Sequence, residues 1–496
     1  MTLGALASLQ AQEIPSITYD SPVDPMAVIP PTAEGERQLQ ERFQSYRNVD
    51  PDYRHAGPEA LERWQDWKFG LRIHWGLYTL VNGGESWVIK AHEGDKEWLK
   101  NYYALSQQFN PTGFDAEEWM QIMKRGGMKY FSFTTKHHEG FCLWDTKTLQ
   151  RGFTKNPDGS FSEVTNHFSV MDSPFKRDIV GELVKAGRRN RLGVSLYYSH
   201  IDWHDWDFGW DHQMWGKKNR SPASNFWYDG TFTKKEDDPA RWAACVQKER
   251  DQLTELLTKY GPIDSLCFDM SWIKSGQSDL NDIAKMCRQL QPNLLMRNRG
   301  IGNYGDYETP EQTVPEDPTE VKRPWQVIYP CSSGFSYKKN DRYRSQEWIL
   351  ENLIDIVAKG GNFQVGFGPD PQGKWPTEMI ERVNYVGDWL KVNGESIYAT
   401  RPWHRFHEGK DLRFTRSKDG RYVYVISLVW PGESLTTSLV KAKPGSQVHL
   451  LGSDQALTWK QEGDLLSIAI PPSIADHKPC AQAYAFKIEV VPAQAP

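Results

Sequence analysis

The sequence lacks three features, each of which would indicate a particular class of protein. It has no apolar run of about 18 residues, which is the length a membrane-spanning helix needs, so no segment is expected to cross a bilayer. Its 59 lysines and arginines stand against 64 aspartates and glutamates, a net charge of −5, so a nucleic-acid binder is not expected. No CxxC pair occurs among its six cysteines, so neither a cysteine-ligated zinc site nor a disulfide framework is expected.

The first 35 residues read as an export or lead-in segment rather than as a domain. Residues 3–9 resemble the end of the apolar region of a signal peptide, although no lysine or arginine precedes Arg37. Residues 13–35 are rich in proline and have no periodic pattern. We therefore expect a periplasmic or secreted protein whose first domain begins near residue 36.

Residues 36–400 alternate between apolar runs of strand length and segments with helical periodicity. The candidate strands are residues 68–75, 129–137, 192–199, 265–269, 294–299, 326–331 and 363–367. The candidate helices are residues 115–126, 177–190, 240–260, 279–290, 346–359 and 377–393. This alternation predicts an irregular (β/α)₈-like TIM barrel in which the eighth strand is unplaced. A doubly wound open sheet is the alternative, but no glycine-rich dinucleotide loop follows the first strand.

The pattern changes after residue 400, where short segments alternate apolar and polar residues between glycine, proline and aspartate turns. The candidate strands are residues 411–415, 422–429, 447–451, 465–470 and 483–490. Such spacing is typical of a β-sandwich, which we expect over residues 401–496 and packed against the barrel.

Asp269 is the most informative residue in the chain. It ends the apolar run 265–268, which reads as a buried strand. An unpaired buried carboxylate is expensive, so packing does not explain it. The carboxyl ends of barrel strands are where catalytic groups lie, which makes an enzyme the leading interpretation.

Polar and aromatic residues also stand at the ends of other predicted strands. His74 ends the first strand, His137 and His138 end the second, and Tyr198 lies at the end of the third. A single histidine in such a position is more often structural than functional. Metal binding by the three histidines is a rival interpretation, but no HxH or HExxH spacing accompanies them, so we predict hydroxyl recognition and no metal.

A catalytic Asp269 needs a partner if the enzyme is a glycosidase, because that reaction uses two carboxyl groups. The glycine-rich loop after Arg299 carries Asp306, Glu308 and Glu311. Composition alone does not choose among these three.

At this point the sequence resembles a known family, the α-L-fucosidases of glycoside hydrolase family 29. The resemblance runs from about residue 64 to residue 403, and its motifs are specific when taken in order. They are WKFGLRIHWGLY (67–78), FNPTGFDAEEW (109–119), KHHEGFCLWDTK (136–147), FKRDIVGELVKAGR (175–188), LYYSHIDW (196–203), LCFDMSW (266–272), DYETPEQ (306–312), VAKGGNF (357–363) and WLKVNGESIY (389–398).

The resemblance implies a fold, a reaction and a set of roles. Family members have an irregular (β/α)₈-like barrel followed by a β-sandwich, and they cleave terminal α-L-fucose with retention, without a cofactor. Asp269 corresponds to the nucleophile, Glu311 to the acid/base and Arg299 to a neighbouring basic residue. The implied sugar-binding residues are His74, Glu85, Trp87, His137, His138 and Phe335. The expected substrate is a fucosylated oligosaccharide or glycoconjugate.

Five departures from the family pattern bear on specificity rather than mechanism. Glu139 replaces an aspartate, Ser86 separates Glu85 from Trp87, and the tryptophan-rich segment 203–227 is long. An Asn-Asp-Arg element becomes Asn298-Arg299 preceded by Arg297, and residues 364–369 lack an asparagine of the usual motif. A relative that acts on another sugar, such as a β-galactoside, and a non-catalytic glycan-binding module are the alternatives. The presence of two candidate carboxyls argues against the second alternative.

Overall fold

The computed structural model describes residues 49–92, 95–208, 234–269, 274–310, 312–315 and 323–491. Three of the sequence-based expectations concern residues outside these ranges. They are the lead-in segment 1–35, residue Glu311 and most of the tryptophan-rich segment 203–227.

A curved parallel sheet forms the centre of the first 400 residues. The described strands are β1 Phe69–Ile73, β2 Tyr130–Lys136, β3 Gln150–Lys155, β4 Phe161–Asn166, β5 Gly193–Ser199, β6 Ser265–Asp269, β7 Leu295–Met296, β8 Gln326–Pro330 and β9 Asn362–Phe367. Seven of these described strands pair in parallel in the order β7-β6-β5-β2-β1-β9-β8, while β3 and β4 form an antiparallel hairpin. All seven parallel strands were predicted from the sequence, and the hairpin was not.

Helices connect the parallel strands and cover the sheet. The described helices in this region are α1 Pro58–Trp67, α2 Trp87–Ala91, α3 Lys96–Tyr103, α4 Ala116–Arg125, α5 Ile179–Arg189, α6 Pro239–Lys259, α7 Gln277–Leu290, α8 Gln346–Ala358 and α9 Thr377–Asn393. Several begin at a capping carboxylate; Asp115, for example, accepts hydrogen bonds from the backbone N–H groups of Glu117 and Glu118. Every residue of β1, β2 and β5 is buried, as expected of a parallel sheet covered on its faces.

A short segment lies between the two edge strands β7 and β8. Tyr307 makes a single parallel bridge to Arg297, and Glu308 makes one to Trp325. The backbone N–H of Asp306 donates to the carbonyl of Met296 at 2.7 Å. The described sheet therefore has seven strands, and single-residue bridges through residues 306–308 connect its two edges.

The C-terminal region is an antiparallel β domain. Its strands are β10 Thr400–Glu408, β11 Leu412–Ser417, β12 Tyr422–Ser427, β13 Ser434–Thr437, β14 Val448–Leu450, β15 Ala456–Leu457, β16 Trp459–Glu462, β17 Leu465–Ala469 and β18 Tyr484–Glu489, with the short helix α10 Pro472–Ala475. They form a six-stranded sheet, β10-β11-β12-β18-β14-β15, and a three-stranded sheet, β13-β17-β16. Val425 and Phe486 of the first sheet share one buried core with Leu435 and Ile468 of the second.

The two regions pack closely together. Trp389 of α9 donates its indole N–H to the carbonyl of Ala483 at 2.8 Å, and the hydroxyl of Thr415 donates to the carbonyl of Ser396 at 2.7 Å. Ile426 and Ala485 of the β domain belong to the same buried cluster as the core of the parallel sheet. Among the described helices, none combines the length and the apolar character needed to cross a membrane.

Candidate active site

A cavity of about 350 Å³ opens at the carboxyl ends of the parallel strands. The strands and the loops that follow them bring together residues that are far apart in the sequence. Its lining includes Arg72, His74, Glu85, Trp87, His137, His138, Tyr197, Asp269, Arg297, Arg299, Thr309, Pro310, Gln312 and Phe335. Strand ends are where a parallel α/β fold places its ligands, so this cavity is the candidate active site.

Asp269, the last residue of β6, sits among three donors. Its Oδ2 accepts a hydrogen bond from the hydroxyl of Tyr197 at 2.6 Å. Its Oδ1 lies 3.1 Å from Nε of Arg299 and 3.5 Å from a terminal nitrogen of Arg297. The side chain is 15% exposed, so the carboxylate is held firmly and still faces the cavity.

The charge on Asp269 is stabilised by its neighbours. Burial alone would raise the pKa of this carboxyl, but Arg299 and Arg297, helped by the hydroxyl of Tyr197, hold its pKa well below the usual range. Asp269 is therefore an anion throughout the neutral and mildly acidic range. An ionised carboxylate facing a cavity is equipped to act as a nucleophile.

Tyr197, and not Tyr198, faces the cavity. The hydroxyl of Tyr198 donates to Oε1 of Gln252 on α6 at 2.7 Å and accepts from Nζ of Lys136 at 3.1 Å. Adjacent residues of a strand point to opposite faces, so only one of this pair can reach Asp269. The prediction at Tyr198 is corrected to Tyr197.

The adjacent histidines His137 and His138 both line the cavity, and Nδ1 of each ring contacts a serine hydroxyl. Nδ1 of His137 lies 2.7 Å from the hydroxyl oxygen of Ser86, and Nδ1 of His138 contacts that of Ser199. Burial lowers the pKa of His137 well below its usual range and lowers that of His138 to about 4. Both rings are therefore neutral at pH 7.

Glu139 follows this pair but lies behind the cavity wall. Its Oε1 accepts from the backbone N–H of Leu77 at 2.9 Å, and its Oε2 accepts from the hydroxyl of Tyr102. Burial raises the pKa of Glu139 to about 8. This departure from the family pattern therefore lies behind the cavity surface, where its carboxylate joins Leu77 to Tyr102.

Phe335 and His74 form one wall, with ring centroids 5.1 Å apart and nearly parallel planes. Oε1 of the buried Glu85 accepts from the backbone N–H groups of Phe335 and, at 2.9 Å, Ser336. Glu85 therefore ties the loop that carries Phe335 to the loop that carries Trp87. Trp87 packs edge-on against His138, with ring centroids 5.7 Å apart.

Two arginines in the cavity were missed as binding residues in the sequence analysis. Arg72 lies inside β1, where its guanidinium donates to the hydroxyl of Ser132 at 2.7 Å and covers the ring of Tyr197 at 4.1 Å. Arg297 directly follows β7 and approaches Asp269. A charged residue within the otherwise apolar run 69–73 was the signal for Arg72, because an inward-facing cation needs polar partners.

The three candidate partners of Asp269 differ in their positions. Asp306 is buried away from the cavity, where its Oδ2 lies 2.6 Å from Arg288 and accepts from the backbone N–H of Met296 at 2.7 Å. Glu308 is buried beside β8 and is absent from the described lining of the cavity. Glu311 lies outside the described residues, but its neighbours Pro310 and Gln312 both line the cavity.

His137, His138 and Asp269 could together offer three metal ligands, since one ligand atom from each lies within 4.8 Å of the others. The electrostatics oppose a cation there, because guanidiniums of Arg297 and Arg299 lie within 3.5 Å of Asp269. The arrangement is better suited to a neutral polyol, which offers hydroxyl donors to the carboxylate and acceptors to the arginines.

Comparison with known proteins agrees with this geometry. A family model described as alpha-L-fucosidase matches residues 38–395, and a model described as alpha-L-fucosidase C-terminal domain matches residues 408–489. The chain belongs to the α-L-fucosidase family. This fucosidase is therefore a glycoside hydrolase of family 29, as the sequence motifs predicted.

The fucosidase is similar over most of its length to animal enzymes. It is 27% identical over 480 residues to plasma alpha-L-fucosidase of Homo sapiens, covering 90% of this chain and 93% of that one. It is 26% identical over 470 residues to tissue alpha-L-fucosidase of Mus musculus, covering 86% and 92% of the two chains.

Solved bacterial structures share the fold of the fucosidase. Alpha-L-fucosidase isoenzyme 1 from Paenibacillus thiaminolyticus superposes with a TM-score of 0.70 at 25% identity, covering 87% of this chain and 98% of that chain. The Thermotoga maritima alpha-fucosidase in complex with a mechanism-based inhibitor gives 0.67 at 25% identity, covering 88% and 100%. A Bacteroides thetaiotaomicron enzyme trapped as a covalent intermediate gives 0.71 at 24% identity, covering 88% and 97%.

Proposed function

We propose that this fucosidase removes terminal α-L-fucose from glycans with retention of configuration, and that Asp269 is its nucleophile. The observation that carries the proposal is the position of Asp269 at the end of β6, where two arginines and a tyrosine keep the carboxylate ionised and directed into the cavity. Burying a carboxylate among fixed donors costs free energy of folding, and charged groups in such surroundings are characteristic of catalytic sites.

In the first step, an oxygen of Asp269 forms a bond to the anomeric carbon while the bond from that carbon to the glycosidic oxygen breaks. Glu311 transfers its proton to the leaving oxygen, so the aglycone departs as a neutral alcohol. Arg299 and Arg297 stabilise the negative charge of Asp269 before the attack, and that charge is neutralised as the glycosyl ester forms.

In the second step, the ionised Glu311 takes a proton from a water molecule as that water attacks the anomeric carbon. The ester bond to Asp269 breaks and the carboxylate is regenerated. Two inversions give net retention. This cycle requires the two carboxyl groups to be about 5–5.5 Å apart, and the exposure of Pro310 and Gln312 to the cavity supports Glu311 in that role.

The other lining residues of the cavity provide the binding surface for the sugar. His74, His137 and His138 present ring nitrogens, and Glu85 and Trp87 form the adjoining wall. Phe335 offers an apolar face that suits the C5 methyl group of fucose. Galactose carries a hydroxymethyl group at that position, which an apolar face accommodates less well.

We also propose the finer architecture and the cellular location. The single-residue bridges at Tyr307 and Glu308 support residues 306–308 as an eighth strand position in an irregular (β/α)₈-like barrel over residues 36–400. The shared core of the two antiparallel sheets supports a β-sandwich over residues 401–496. The apolar stretch at residues 3–9 supports export to the periplasm or beyond the cell.

Chemical rescue with azide tests both carboxyl roles at once. We expect Asp269→Ala to lose nearly all turnover of an aryl α-L-fucoside, and azide to restore it with formation of the inverted β-fucosyl azide. We expect Glu311→Ala to retain activity on good leaving groups, and azide to give the retained α-fucosyl azide. Glu308→Gln is the matched control, and loss of activity there with full activity in Glu311→Ala would reassign the acid.

A panel of aryl glycosides tests the sugar. Cleavage of the α-L-fucoside far above the β-D-galactoside and the other members supports the proposal. Cleavage of another aryl glycoside with no action on the α-L-fucoside would instead support a relative with a different specificity, and failure on the whole panel would favour a glycan-binding role.

A further inference from the structure

The hydroxyl of Ser86 contacts the ring of His137. Its oxygen accepts a hydrogen bond from the backbone N–H of Glu139 at 3.2 Å and lies 2.7 Å from Nδ1 of His137. A serine hydroxyl has a single proton to donate. Within the part of the chain that the structure describes, no acceptor other than Nδ1 of His137 lies within hydrogen-bonding distance of Ser86. The hydroxyl must therefore donate to Nδ1, which leaves the ring proton of His137 on Nε2.

In its contact with His138, Ser199 is the hydrogen-bond acceptor rather than the donor. Its hydroxyl donates its one proton to the carbonyl of Ile201 at 2.9 Å. Its contact with Nδ1 of His138 must therefore be an accepted hydrogen bond, and the same carbonyl lies 3.4 Å from Nδ1 as a second acceptor. Nδ1 of His138 carries the ring proton, and its Nε2 is an unprotonated acceptor.

This acceptor is buried, and among the described residues it has no hydrogen-bonding partner. It lies 3.7 Å from Oδ2 of Asp269, which is itself an acceptor, so the two atoms cannot bond to each other. A buried polar atom without a partner is costly, and a hydroxyl donor in the cavity would satisfy it.

We propose that Ser86 and Ser199 are positioning residues that give the two adjacent histidines opposite tautomers. His137 then donates from Nε2 to one sugar hydroxyl, and His138 accepts at Nε2 from another. The ring centroids are 4.4 Å apart, which suits two hydroxyls on neighbouring carbons. The pair therefore recognises a vicinal diol by hydrogen-bond direction as well as by shape. This substrate role rests on the proposed fucosidase reaction, whereas the tautomers themselves do not.

Long-range ¹⁵N–¹H correlation spectra of the histidine-labelled protein at pH 7, without substrate, test the tautomers directly. The chain has 13 histidines, so the variants H137Q and H138Q identify the two sets of signals. We expect one Nε2–H ring and one Nδ1–H ring, assigned to His137 and His138 respectively. Equal tautomers, reversed tautomers or a doubly protonated ring at either position would overturn the proposal.

The variant Ser199→Ala adds a functional readout. It leaves the more distant Ile201 carbonyl as the acceptor for Nδ1, so we expect the His138 signals to move towards the Nε2–H form. We expect KM for an aryl α-L-fucoside to rise about tenfold with kcat changed much less, because a ground-state hydrogen bond is lost. An unchanged His138 spectrum in a folded Ser199→Ala protein would contradict the role of Ser199.

Ser396→Ala is the matched control, because Ser396 is equally buried and donates to the carbonyl of Asn393 far from the cavity. It should leave both the His137 and His138 signals and KM unchanged, and a change of the same size there would contradict a specific effect. Inactivity of the wild-type protein on fucosides would refute the proposed function while the spectra still decide the tautomers.

Discussion

At the scale of single residues, two adjacent tyrosines of β5 have different partners. The hydroxyl of Tyr197 donates to Asp269 in the cavity, whereas that of Tyr198 donates to Gln252 on α6. Tyr197 and Tyr198 are both aromatic and adjacent, so composition cannot tell which faces inward. That choice depends on the pairing register of β5 with β2 and β6, which is a tertiary property.

The same pair of tyrosines offers a matched test. We expect Tyr197→Phe to lower kcat/KM about tenfold, because the carboxylate of Asp269 loses a donor at 2.6 Å. Arg299 and Arg297 still hold the pKa of Asp269 well below its usual range in this variant, so the carboxylate stays ionised and the loss should be the same from pH 4 to pH 8.

Tyr198→Phe is the control on the neighbouring residue. It removes the hydrogen bond to Gln252, so it should reduce the free energy of unfolding by about 1–3 kcal/mol while leaving kcat/KM within about twofold. Steady-state kinetics from pH 4 to 8 and urea unfolding measure both effects. Equal kinetic losses in the two variants would contradict the assignment of Tyr197 to the cavity.

At the scale of elements, the parallel strands were predictable because each contains apolar or aromatic residues within a segment of strand length, and predicted helices lie between most of them. The hairpin of β3 and β4 was missed because its residues are largely polar and partly exposed, which gives no clear alternation. The bridged segment 306–308 was not predicted, because it is short and carries Asp306 and Glu308. Its place is fixed by backbone bonds to strands on either side, which a local pattern does not reveal.

The connection between two active-site loops depends on Glu85, whose Oε1 accepts from the backbone N–H groups of Phe335 and Ser336. We expect Glu85→Ala to leave both donors unsatisfied and to release Phe335 from His74. KM for an aryl α-L-fucoside should rise by about tenfold or more, with a smaller fall in kcat.

Glu85→Gln separates the role of Glu85 as the acceptor that joins the two loops from any role of its charge. Its amide oxygen can still accept from both N–H groups, so KM should stay much closer to the wild-type value than in Glu85→Ala. Steady-state kinetics of the two variants on one substrate make the comparison. A loss in Glu85→Gln as large as that in Glu85→Ala would show that the carboxylate itself contacts the sugar.

At the scale of the whole molecule, the change of pattern near residue 400 predicted two regions but not how firmly they join. Ile426 and Ala485 of the β domain are buried within the core of the first region, and Trp389 reaches back to Ala483. These contacts come from residues scattered between positions 389 and 485, so sequence spacing does not reveal them.

A shared core predicts that the two regions unfold together. Differential scanning calorimetry should give one transition, and Trp389→Phe should lower Tm while keeping a single peak, because the lost hydrogen bond weakens the interface without dividing the core. Two resolved transitions in the wild-type protein would contradict this coupling.

The central claim is that Asp269 forms a covalent bond to the anomeric carbon of fucose. The most direct test is to incubate the enzyme with a 2-fluoro-fucosyl fluoride, digest it and locate the added mass by tandem mass spectrometry. We predict one fucosyl adduct, on Asp269, and none in Asp269→Asn. An adduct on another carboxylate, or steady turnover of the reagent with no adduct at any time, would contradict the claim.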